Sequence, residues 1–97
     1  MPRTQALKIL AQYRSDLHTR FGVKSLALFG STARNEANST SDVDLLVEFD
    51  RPTGLFGLIR LQLYLEELLG CSVDVGTIEG LKPRVRARVQ AESIYVN

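Results

Sequence analysis

Asp42 and Asp44 stand two residues apart at the head of an alternating apolar run, and Gly30-Ser31 precedes them by ten intervening residues. Side chains at i and i+2 of a strand point to one face, so the two carboxylates would project together. Hard divalent cations such as Mg²⁺ take carboxylate oxygens alongside the phosphate oxygens of a substrate. Glycine lets a backbone approach phosphate closely, and a serine hydroxyl adds a donor. The set is suited to gripping a metal-bound nucleoside triphosphate. The plain alternative is a pair of solvated loop aspartates, but Asp42 and Asp44 open an alternating run and do not sit in a turn. Asp74 is a third candidate. It lies within the short apolar run CSVDVGT, where strand phase puts Ser72, Asp74 and Gly76 on one face and Val73, Val75 and Thr77 on the other. A charge inside an apolar strand is costly without a partner. Asp74 is therefore expected either to face the same site as Asp42 and Asp44 or to pair with a nearby arginine. Arg34 follows Ser31 closely and is either a phosphate-neutralising cation or a solvated surface residue.

These residues need elements to hold them. Ala6, Leu10, Tyr13, Leu17 and Phe21 recur at helical spacing, which predicts a helix over 4–20 that Gly22 stops. Residues 24–29 read as a short buried strand, followed by a brief helix at about 31–36 whose first N–H groups can receive phosphate. Residues 42–49 read as a second strand, with Val43, Leu45, Val47 and Phe49 on one face and Asp42, Asp44, Leu46 and Glu48 on the other. The run Asp50-Arg51-Pro52-Thr53-Gly54 breaks the chain. A strong helix over 55–69 is capped by Gly70. A third strand covers 71–77, and Pro83 opens a last helix to about Glu92. Ile94-Tyr95-Val96 is expected to pack back or to pair with a sheet edge.

Topology follows from the chemistry. Gly30-Ser31 ends the first strand while Asp42 and Asp44 start the second, so the two strands must run antiparallel to share a site. The helix over 55–69 returns the chain to the same end, which makes strand three parallel to strand two through a crossover expected to be right-handed. The expected fold class is α/β (α+β): a small mixed three-stranded sheet with helices packed on it.

Ninety-seven residues form one domain, taken here as 1–97, with a modest core. The net charge of +1 offers no global field for nucleic acid or membrane, so direct binding to either is not expected. Cys71 is the single cysteine and reads as a small buried residue, not a catalytic thiol. No apolar stretch is long enough to span a bilayer and no signal-peptide pattern is present, which makes the cytoplasm the default. His18, alone on its helix, reads as structural.

The run LALFGSTARNEANSTSDVDLLVEF, with Gly30-Ser31-(x10)-Asp42-x-Asp44 inside it, resembles the DNA-polymerase-β-like nucleotidyltransferase superfamily and its minimal MNT-domain members. The resemblance extends from about residue 5 to residue 96. It implies a nucleotidyltransferase fold and an enzyme that uses ATP and Mg²⁺, with two ions held by Asp42, Asp44 and Asp74. Gly30, Ser31 and Arg34 would bind the nucleotide, and Asp74 would serve the attacking hydroxyl as base. It further implies an antitoxin that moves AMP to a tyrosine of a HEPN-type RNase toxin, in a hetero-oligomer. The alternatives are a silent antitoxin that masks its toxin stoichiometrically, and transfer to a small molecule such as an aminoglycoside.

One feature of the long helix bears on partners. Leu58, Leu61, Leu65, Leu68 and Leu69 make a stripe that can face the sheet, while Leu55, Phe56, Ile59 and Leu63 make a second. Either another helix covers the second stripe, or it is a partner surface that docks the toxin and brings its hydroxyl near Asp74.

Overall fold

The computed structural model describes residues 2–33 and 43–96. The N-terminal stripe buries Ala6, Leu10 and Leu17, but two helices carry it: α1 (Arg3–Gln12) and α2 (Arg14–Phe21). The single helix expected over 4–20 is broken at Tyr13, where φ −101° and ψ 11° leave the helical region. Hydrogen bonds still cross the break, from Tyr13 N–H to Ile9 O at 3.2 Å and from Leu17 N–H to Tyr13 O at 3.0 Å. The backbone thus kinks without losing the register of its apolar face. Gly22 then ends α2 at φ +72°, in the left-handed region where glycine alone is unstrained.

The remaining elements are β1 (Val23–Phe29), α3 (Gly30–Ala33), β2 (Val43–Phe49), α4 (Leu55–Leu69), β3 (Val73–Thr77), a 3₁₀ turn (Ile78–Gly80), α5 (Pro83–Glu92) and β4 (Ile94–Tyr95). β1 pairs antiparallel with β2, and β2 pairs parallel with β3, as the chemistry required. The sheet has four strands, in the order β3-β2-β1-β4, where three were expected. The fourth is the segment after α5. Ile94 lies opposite Leu28 and Tyr95 opposite Ala27, and the Val96 N–H donates to Leu26 O at 2.8 Å. Val96 itself is buried in the core.

Period-two alternation sorts the sheet into two faces. Leu26, Leu28, Val43, Leu45, Val47, Val73 and Val75 point to one side, against Leu61, Leu65 and Leu69 of α4 and the buried residues of α1 and α2. This is the main core, and a Leu→Ala change at fully buried Leu61 or Leu65 would cost about 2–5 kcal/mol. The opposite face is covered more lightly. Ala27, Leu46 and Ile78 are buried there, with Phe29, Leu81 and Val89 packed around them. Helix α5 contributes no fully buried side chain to that cover.

Glycines and one carboxylate set the ends of α4. Leu58 N–H donates to Gly54 O at 3.1 Å, and Gly70 closes the helix at φ +70° with its N–H on Glu66 O at 2.8 Å. The Glu66 carboxylate accepts the Val73 N–H at 3.1 Å, tying the last turn of α4 to the first rung of β3. β3 is shorter than the expected 71–77, because Cys71 and Ser72 are used in the turn that leaves Gly70. Cys71 is half-buried against the main core. Among the described residues, no helix is long and apolar enough to cross a membrane.

Candidate active site

The amino ends of β2 and β3 and the carboxyl end of β1 meet at one edge of the sheet. Asp44 lies opposite Phe29 on β1 and level with Asp74 on β3. Neighbouring strands are about 4.8 Å apart, so these two aspartates are adjacent rungs of one row. Each is flanked by core residues (Val43 and Leu45, Val73 and Val75), so both carboxylates project from the face opposite α4. Asp44 is half-buried and Asp74 is exposed. The exposure corrects one expectation: Asp74 is not a charge sealed inside an apolar strand, because α5 does not cover this end of its face. Its position there needs no burial penalty to explain it, and it is open to an incoming group.

Gly30 completes the edge. It follows β1 directly and has φ +72°. A Cβ built there would stand 3.3 Å from the Asp44 Cγ and collide with its Oδ2. Glycine is therefore required twice at this position, by its backbone angle and by the space the Asp44 carboxylate occupies. That second role is beyond the reach of motif spacing, which suggests only close approach to phosphate. Ser31 falls within α3, whose backbone turns away at the same edge. The Ser31 side chain, Arg34 and Asp42 lie outside the described residues.

The donor set suits a hard cation. Asp44 and Asp74 offer oxygen ligands from adjacent rungs on one open face, and oxygen is what Mg²⁺ takes. Among the described residues no group of three His, Cys, Asp or Glu side chains stands together. Asp42, two residues before Asp44 in sequence, lies outside that set.

Other candidates fall elsewhere. Leu55, Phe56, Ile59 and Leu63 are exposed, so neither the N-terminal nor the C-terminal helix covers the second stripe of α4. The stripe looks outward from the helix layer on the core side of the sheet, whereas Asp44 and Asp74 look outward from the other side. A sheet and a helix about 10 Å in diameter intervene, so contact with the stripe does not by itself bring a hydroxyl to Asp74. His18, read as structural, donates from Nε2 to Asp50 Oδ2 at 2.9 Å on the surface. Arg51 Nε donates to Asp50 Oδ1 at 2.8 Å, and this bond, ahead of a smaller contribution from His18, holds the Asp50 carboxyl below its usual range. Arg88 and Glu92 form an i,i+4 surface pair at 3.9 Å. A cavity of about 320 Å³ opens between Phe49, Arg51, Thr53, Thr77 and Glu79. It lies at the carboxyl ends of β2 and β3, the opposite end of the sheet from the carboxylates.

Sequence reading missed the Arg20–Phe21–Tyr64 stack. The Arg20 guanidinium lies 4.8 Å from the Tyr64 ring centre, and the two rings are 5.2 Å apart. With Arg60 and Leu63 these residues line a hollow of about 440 Å³ beside the α4 stripe. Nothing local in the sequence pairs α2 with α4, so no signal could have found it.

Comparisons with known proteins identify the fold that carries this edge. The nucleotidyltransferase domain model matches residues 10–96. The protein adenylyltransferase MntA of Thermococcus cleftensis is 42% identical over 88 residues, which are 91% of this chain and 89% of that one. A solved minimal nucleotidyltransferase structure superposes with a TM-score of 0.82 at 40% identity, covering 97% of this chain and 95% of the other. A structure of a tri-AMPylated Shewanella oneidensis HEPN toxin in complex with MNT antitoxin shares the fold, with a TM-score of 0.67 at 15% identity, over 94% of this chain and 71% of that one. On this evidence the chain belongs to the nucleotidyltransferase domain family as one of its minimal members.

Proposed function

We propose that this chain transfers AMP from ATP to a hydroxyl, a tyrosine by expectation, of a HEPN-type toxin and thereby acts as its antitoxin. The observation that carries the reading is the level pairing of Asp44 with Asp74 on an open face beside Gly30. Support for the adenylyl donor and the protein acceptor comes from the name of the 42% identical relative, a protein adenylyltransferase. Support for the toxin comes from the neighbouring structure of a HEPN toxin with its MNT antitoxin.

The roles divide along the edge. Gly30 and Ser31 grip the triphosphate, with Arg34 as a further cation for it. Asp42, Asp44 and Asp74 would hold Mg²⁺, which when bound neutralises phosphate charge and acidifies the acceptor hydroxyl. The acceptor oxygen bonds to the α-phosphorus, the bond from that phosphorus to the β-phosphate oxygen breaks, and pyrophosphate leaves. Asp74, exposed on this face, takes the hydroxyl proton. A protein acceptor fits this open face, since a partner can supply the walls that so small a domain lacks.

The test is Asp42→Asn combined with Asp44→Asn, assayed by transfer of label from α-labelled ATP to the co-purified toxin. Transfer should vanish while circular dichroism and thermal unfolding stay close to wild type. Labelling at the wild-type rate would overturn the catalytic reading.

A further inference from the structure

We propose that the outward face of α4 joins two copies of this chain back to back, leaving both catalytic edges free. Leu55, Phe56, Ile59 and Leu63 are 70%, 78%, 43% and 59% exposed, while Leu61, Leu65 and Leu69 on the other side of the same helix are buried. Four large apolar side chains on one face are a contiguous patch, not scattered exposure, and such patches mark interfaces. The acceptor is a poor occupant, because the sheet and the helix layer separate this patch from Asp44 and Asp74.

Charge selects the second copy. Arg60 and Glu67 flank the stripe on the same side, two turns apart, and neither has an ion-pair partner among the described residues. A two-fold axis places two helices antiparallel and brings the same flank of each together. With the axis near Leu63, midway between the two charges, Arg60 of each copy faces Glu67 of the other. A parallel two-fold would bring opposite flanks together and leave Arg60 and Glu67 unmatched across the interface. The same axis stacks Leu63 on Leu63, with Ile59 beside it. It also carries Phe56 to the Gly70 end of the second helix, where nothing stands within 4 Å of a would-be Cβ. Hydrophobic contact and charge therefore agree on one geometry.

The experiment uses the purified full chain in sedimentation velocity from low to high micromolar concentration, without toxin or nucleotide. Wild type should show a concentration-dependent dimer. Arg60→Glu and Glu67→Arg should each weaken it about tenfold, since two exposed pairs turn repulsive at once. The double swap should restore it. Leu63→Cys should form a covalent dimer under mild oxidation where wild type does not, because facing helices 8–10 Å apart bring Cα atoms on the axis within disulfide range. Circular dichroism checks that each exposed-site variant is folded. A wild-type chain that stays monomeric, a swap that fails to restore the dimer, or an α4 face covered instead by the toxin would each overturn the proposal. None of these readouts requires transfer activity, so failure here leaves the catalytic reading standing.

Discussion

Replacing Gly30 with alanine should damage catalysis far more than stability, and Gly70 supplies the matched control. Both glycines lie in the left-handed region, at φ +72° and +70°. An alanine there costs about 1–2 kcal/mol. For a domain of this size that lowers the melting temperature by roughly 4–16 °C, at about 4–8 °C per kcal/mol. The surroundings differ. At Gly70 no atom stands within 4 Å of the new Cβ, whereas at Gly30 it would meet the Asp44 carboxylate, with Cγ at 3.3 Å and Oδ2 closer still. The carboxylate must swing away, by something on the order of 1 Å. Misplacement of that size in a reacting constellation can cost about 10²-fold in rate. Thermal unfolding and label transfer from ATP, measured on Gly30→Ala and Gly70→Ala side by side, separate the two effects. The expected outcome is a similar fall in melting temperature for both, with turnover lost about 100-fold only in Gly30→Ala. If Gly30→Ala turns over as well as Gly70→Ala, the contact between residue 30 and Asp44 has no catalytic weight and the reasoning fails.

Two further outcomes can be checked on the same protein. Asp74→Asn should reduce turnover while leaving Mg-ATP binding by calorimetry within a few-fold of wild type, and should move stability by no more than about 0.5 kcal/mol because the side chain is exposed; a loss of soluble protein would instead show a structural role. Asp50 has a carboxyl held low by Arg51 and then His18, so its contribution is present above the unfolded carboxyl value, near 3.8, and is lost as pH falls through the lower folded value; Asp50→Asn should flatten the acid limb of melting temperature against pH, an effect that salt should shrink because the group is on the surface.

Legibility of the sequence varied with the kind of signal. Helix α4 was read to its ends, because glycines flank it at 54 and 70 and its core stripe is unbroken. The antiparallel and parallel pairings followed from asking Gly30, Asp44 and Asp74 to meet. The kink at Tyr13 was invisible, since the apolar spacing runs through it unchanged. β4 has two residues, too few for any period to register, so edge pairing of Ile94 and Tyr95 stands only as an alternative to packing back, outside the expected three-stranded sheet. Strand phase placed Asp74 on the correct face but could not say that α5 leaves that end uncovered. Helical periodicity likewise separated two stripes on α4 without telling which layer of the fold the helix joins. Burial depends on neighbours far along the chain, and local pattern carries no record of them.

The level pairing of Asp44 and Asp74 has a consequence for folding. The two residues are thirty positions apart, and the long helix α4 lies between their strands. β1 and β2 can pair early as antiparallel neighbours, which already brings Gly30 beside Asp44. The row gains Asp74 only when the chain has closed the larger loop, the slow kind of contact in a small domain. A half-folded chain would therefore hold Gly30 beside Asp44 but lack Asp74, the proposed base. Turnover counts only molecules that have finished folding, so the enzyme's own activity is a clock for the last event in its assembly.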